Sequence, residues 1–199
     1  MTAFIHGFVL ALGLILPLGV QNIFIFTQGV TQKKFRHALP AVITAALCDT
    51  CLIIVAILGL SLIVLQFEWL RLVLMIGGAI FLLYMSVAIW RAPAATIGGA
   101  ALAPRKQIIF ALSVSLLNPS ALLDIVAVIG TSSMKYDGIA QFEFALSCIT
   151  VSWLWFFGLA LTAAILKKAN LPTSAFQLMN KCSAIFIVGT ACYILYSLV

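Results

Sequence analysis

Apolar residues fill six long runs along the chain, separated by short polar stretches. A membrane-crossing helix needs about 20 predominantly apolar residues. The runs predict spans at roughly 4–27, 38–65, 72–90, 108–130, 142–166 and 182–198. Three of them carry polar residues where hydrocarbon is the expected surrounding. The first holds Leu16-Pro17-Leu18-Gly19-Val20-Gln21-Asn22, the second Cys48-Asp49-Thr50-Cys51, and the fourth Leu117-Asn118-Pro119-Ser120-Ala121-Leu122-Leu123-Asp124. A proline removes one helical hydrogen bond and clashes with the preceding turn. An aspartate at the centre of a membrane helix costs roughly 2.5–3.5 kcal/mol on insertion scales. Pro17 and Pro119 therefore mark expected helix breaks. Asp49 and Asp124 mark expected functional positions, because intramembrane carboxylates are rarely kept without one.

Composition supports the same class. The chain has 199 residues, 64% hydrophobic and 8% charged, against about 25% charged in a typical soluble domain. The six runs leave no room for a separate soluble domain, so one transmembrane domain is expected over residues 1–199. The net charge of +6 does not point to nucleic acid, because the basic residues sit in short loops. Loops one, three and five carry nine of them: Lys33, Lys34, Arg36, Arg91, Arg105, Lys106, Lys167, Lys168 and Lys181. Loops two and four carry Arg71 and Lys135, alongside Glu68, Asp137 and Glu143. That bias predicts cytoplasmic odd loops and both termini on the outer side. The first run lacks a basic lead and a convincing cleavage site, so it reads as a retained span.

The spans divide into two similar units, 1–90 and 108–199, joined by a Pro-, Gly- and Ala-rich linker at 91–107. Asn22 follows Pro17 by five residues, as Asp124 follows Pro119. Gly77-Gly78-Ala79-Ile80-Phe81-Leu82-Leu83-Tyr84 aligns with Gly189-Thr190-Ala191-Cys192-Tyr193-Ile194-Leu195-Tyr196, identical at four of eight positions. A unit with three spans re-enters the membrane upside down, so two such units form an inverted repeat. That is an architecture of secondary transporters, with the substrate site at the midplane between broken helices. The expected fold is all-α: six transmembrane helices, with helices 1 and 4 broken or kinked at Pro17 and Pro119. Backbone N–H groups freed at each break suit a carboxylate. Asp49 and Asp124 suit an ammonium or a proton, so the pair fits the two ends of an amino acid. Gln21, Asn22 and Asn118 would add neutral hydrogen bonds.

These segments, together with Leu154-Trp155-Phe156-Phe157-Gly158-Leu159-Ala160-Leu161, resemble the LysE/ArgO family of basic amino-acid exporters. The resemblance covers essentially the whole chain. It implies export of lysine, arginine or related amino acids from bacterial cells across the cytoplasmic membrane, driven by an ion gradient. It implies no ATP, no cofactor and association as a homodimer. Gly98-Gly99 is not followed by Lys-Ser or Lys-Thr, so no nucleotide loop speaks against this. Two positions depart from the family pattern. Val20 stands where a second proline often follows Pro-Leu-Gly, and Ser120-Ala121 replaces a bulkier, more polar pair.

The rival reading is a soft-metal or thiol/redox carrier using Cys48 and Cys51, which are three residues apart and so neighbours on a helix. Zinc usually takes four ligands, and no histidine or second Cys pair accompanies them within the spans; small apolar packing is the plainer role. A channel would need a continuous polar stripe, and an intramembrane enzyme a His pair or Ser–His dyad at depth; neither pattern is present. Trp153, Trp155, Phe156 and Phe157 read as packing or lipid-facing surface.

Overall fold

The computed structural model describes residues 1–16, 19–60, 68–91, 101–118, 121–122 and 124–168, with residues 181–182, 184–185, 187–189, 191–192 and 196 beyond them. Pro17, Pro119, the linker at 92–100 and the Asp124 side chain lie outside the described residues. The described regular structure is entirely helical. It comprises α1 (Thr2–Ile15), α2 (Val20–Thr31), α3 (Leu39–Val55), α4 (Glu68–Arg91), α5 (Pro104–Leu116) and α6 (Gly138–Lys168). The described residues beyond 180 that carry an assignment are helical too.

Local sequence accounts for several of these boundaries. Pro40 lies in the first turn of α3 and Pro104 opens α5; at such positions the missing N–H would have had no helical partner anyway. α2 begins after Gly19, whose backbone is extended. The axes of α1 and α2 differ by 79°. Two π-helical segments were not foreseen in the expected continuous spans. Ala56–Leu60 extends α3, and Asp124–Gly130 follows the break after α5. They pack against each other. Both stretches are apolar nearly all round, so their hydrophobic pattern carries no sign of a changed helical period.

Leu39–Leu58 and Gly138–Lys167 are each long and apolar enough to cross a membrane, and the bent pair α1–α2 can act as a third span. At about 1.5 Å per residue, α6 exceeds the roughly 30 Å hydrocarbon core. It packs along α1, α2 and α3, while α5 packs on α3.

The helices bury small and polar residues and turn large apolar ones outward. On α3, Ala41, Ala45, Ala46, Cys48 and Asp49 face inward; Ile43, Leu47 and Ile54 are exposed. On α6, Ser147, Ser152, Ala160 and Ala163 are buried, and Leu146, Leu154, Leu161 and Ile165 are exposed. Lipid is as apolar as leucine, so membrane helices gain contact by close approach of small residues. Gly29 illustrates this: a Cβ there would lie 2.5 Å from the Ala160 carbonyl oxygen and 2.7 Å from Ala163 Cβ. Only a bare backbone lets α2 meet α6 so closely.

Hydrogen bonds gather the basic loops at one end. The buried Gln107 amide donates to the His37 carbonyl at 2.9 Å and to the Leu102 carbonyl at 2.8 Å. Gln32 Nε2 donates to Leu102 O at 3.0 Å and to Gln28 Oε1 at 3.3 Å. Lys167 Nζ donates to Gln32 O at 2.9 Å. The end of α2, the start of α3, the start of α5 and the end of α6 therefore meet. At the other end, Met1 N pairs with Glu143 at 3.0 Å, and His6 Nδ1 lies 2.9 Å from Tyr136 Oη. The helix directions follow: α1–α2 and α6 run toward the basic end, α3 and α5 away from it.

Candidate functional site

A carboxyl group in the middle of a packed bundle needs hydrogen bonds, since an ionised carboxylate taken from water without partners is very costly. Asp49 sits at mid-length on α3 and is 7% exposed. Its two oxygens are taken by different helices. Gln21 Nε2 of α2 donates to Oδ1 at 3.4 Å, long for such a bond. Ser152 Oγ of α6 donates to Oδ2 at 3.1 Å. Both partners are neutral. Among the described residues the only ion pair is Met1 with Glu143, so no described cation balances Asp49.

A second chain of bonds lies beside the first. Asn22, next to Gln21, spans the α1–α2 break by donating its Nδ2 to the Ile15 carbonyl at 2.8 Å. Trp155 Nε1 of α6 donates to Asn22 Oδ1 at 3.1 Å. Thr50, next to Asp49, turns its hydroxyl onto Ala46 O at 2.7 Å and accepts Trp153 Nε1 at 3.1 Å. Two indoles thus brace the neighbours of Gln21 and Asp49. Phe156, the residue after Trp155, is fully buried. Packing surface is right for Phe156, but the sequence reading missed the indole N–H groups and Ser152. A serine or tryptophan in an apolar helix carries no mark of which distant residue its donor will meet.

The sequence-expected residues are placed unevenly. Gln21 and Asp49 are bonded directly, Asn22 adjoins them, and Asn118 is buried just past the end of α5. Asp124 opens the second π-helical segment, whose Ile125 and Ile129 pack with Ile53 and Ala56 at the far end of α3. Its side chain, like Pro17 and Pro119, lies outside the described residues, so the pairing of the two aspartates is an expectation only.

Cys48 is buried and Cys51 exposed, both as free thiols. They do not turn to a common interior. Among the described residues, no three His, Cys, Asp or Glu side chains gather as a metal ion would require. The thiol or metal reading therefore gains no support.

Comparison with known proteins bears on the whole chain. The LysE type translocator family matches residues 12–198. YisU of Bacillus subtilis (strain 168), named for a proposed role in amino-acid transport, is 47% identical over 195 residues, covering 97% of this chain and 89% of its own. The arginine exporter protein ArgO of Escherichia coli (strain K12) is 34% identical over 183 residues, covering 89% of this chain and 85% of its own. ArgO of Salmonella enteritidis PT4 (strain P125109) matches to the same extent. No solved structure matches. The apolar helices and these relatives together make it an integral membrane protein, and the chain belongs to the LysE type translocator family.

Proposed function

We propose that this protein is a secondary active exporter of amino acids, with the basic ones, lysine and arginine, as its first candidates. It works by alternating access and is coupled to a proton gradient. One observation carries the reading: Asp49 is buried at mid-length of a membrane-crossing helix with only neutral partners, on two other helices. Such a group calls for a cation, and an amino acid's ammonium or a proton can each supply it. Asp49 alternates between the two. Gln21, Asn22 and Asn118 add neutral contacts, and Asp124 supplies the second carboxylate from the other half.

The family and the ArgO relatives support export of an amino acid. The helix directions support two oppositely oriented halves, since α1–α2 opposes α5 and α3 opposes α6. The aligned segments of the third and sixth spans add to this. Ala79 and Ala191 are both fully buried in one core with Val20, Ile23 and Val114, while Gly77 and Gly189 both face open space. On this reading the two units are six spans hinged at Pro17 and Pro119, and the basic loops lie in the cytoplasm. The protein sits in the bacterial cytoplasmic membrane with both termini outside, as a homodimer.

The test is counterflow of labelled amino acids in proteoliposomes under imposed pH gradients. Wild-type protein should carry arginine or lysine, and Asp49→Asn should lose at least about 100-fold in rate while reaching the membrane at normal levels. Undiminished basic amino-acid transport by Asp49→Asn rejects the assignment.

A further inference from the structure

Serines and threonines in apolar helices usually turn their hydroxyls back onto a carbonyl three or four residues earlier. This chain does so at Thr27, Thr44, Ser113 and Thr150, with bonds of 2.7–2.9 Å. Ser152 instead spends its hydroxyl on Asp49. Ser115 does neither. It lies on the same helix as Ser113, is 1% exposed, and its Oγ has no hydrogen-bond partner. Unpaired buried hydroxyls are unfavourable and uncommon in native structures. The carbonyl of Ala111 stands one turn back, yet the side chain points elsewhere.

Its position says where. Val114, the preceding residue, packs on Val20 and Ile23 of α2. Ser115 itself meets the Cys48 thiol of α3, a weak donor and weak acceptor, and that contact falls short of hydrogen-bond geometry. Val20 adjoins Gln21, and Cys48 adjoins Asp49. On α3, Ser115 thus meets the residue next to Asp49, and on α2 its neighbour Val114 packs with the residue next to Gln21; it approaches from a helix that contributes nothing to the Gln21–Asp49 bond. Asn118, also buried, lies three residues further along α5.

We propose that Ser115 is a cargo-contacting residue, its hydroxyl bonding the polar head group of the amino acid held at Asp49. This rests on the exporter reading and deepens it. α2, α3 and α6 satisfy the carboxylate, while α5, from the second half, offers the open bond. A head-group contact is common to every amino acid carried, so it sets affinity and not side-chain preference.

The test is concentration-dependent counterflow with the full-length protein in proteoliposomes, using labelled arginine, lysine and a panel of neutral amino acids. Ser115→Ala should raise KM about 3- to 10-fold, the worth of one hydrogen bond, for each amino acid that wild type carries. Vmax should stay within about twofold and thermal stability should not fall, because an unpaired polar atom is removed. Ser115→Cys should shift KM in the same direction. Ser113→Ala should leave KM unchanged. A Ser115→Ala protein with wild-type KM overturns the inference, as does a shift confined to one amino acid. Wild-type protein that carries no amino acid in the same vesicles contradicts the exporter reading itself, which a null result at Ser115 alone does not.

Discussion

The Asp49 centre and the glutamine cluster at the basic end are both buried and polar, yet they are satisfied in opposite ways. Gln28, Gln32 and Gln107 are neutral; the amides of Gln32 and Gln107 donate to the His37 and Leu102 carbonyls, and Gln28 Oε1 accepts from Gln32. Because Gln107 Nε2 must face two carbonyls, its Oε1 is left without a partner. The arrangement stitches four helix ends together at the cost of that one acceptor. At Asp49 the side chain can be ionised, and its partners, Gln21 and Ser152, bring hydrogen bonds but no charge. A cluster that closes backbone groups holds the fold together. A carboxyl group with only neutral described neighbours has a different requirement, and on the proposed exporter reading its missing half comes from the cargo.

Substitutions can sharpen or break that contrast. The largest effect is expected at the carboxylate, where Asp49→Asn should nearly abolish transport with little change in thermal stability, as read by counterflow and a melting curve on the same preparation. Next comes Gln107→Leu, which takes the donor from the His37 carbonyl and leaves the Leu102 carbonyl to Gln32 alone. At about 1–3 kcal/mol for an unsatisfied buried group, it should lower the melting temperature by several degrees. KM for the carried amino acid should remain within about twofold. Equal damage to KM in this variant would erase the distinction between the two regions. Smaller still is Trp155→Phe, which keeps the ring but removes the donor to Asn22. One neutral hydrogen bond is worth about 0.5–1.5 kcal/mol, so the transport rate should drop about 2- to 10-fold, and Asn22→Ala in the same background should add little.

The sequence made some of this legible and hid the rest for physical reasons. Asp49, Gln21 and Asn22 stood out because charge and amides are expensive in an apolar run, whatever the tertiary fold. The start of α2 after Gly19 agrees with that residue's local backbone freedom, while the break expected at Pro17 lies outside the described residues. The gathering of basic ends followed from loop charge. Ser115 and Ser152 were invisible, because a helical serine ordinarily satisfies itself and only the bundle shows which one does not. The glutamine cluster was missed because Gln28, Gln32 and Gln107 sit at span ends, where polar residues are ordinary. Gln32 and Gln107 each bond a backbone carbonyl 70 residues away. The indole donors of Trp153 and Trp155 are likewise determined by how α6 lies against α2 and α3, which no pattern along α6 records.

The central claim is that Asp49 holds the cargo's positive charge. Its most direct measurement is equilibrium binding of labelled arginine to the purified protein, wild type beside Asp49→Asn, with both shown to be folded. The account predicts saturable binding to wild type and its loss in Asp49→Asn. Equal affinity in the two would contradict it.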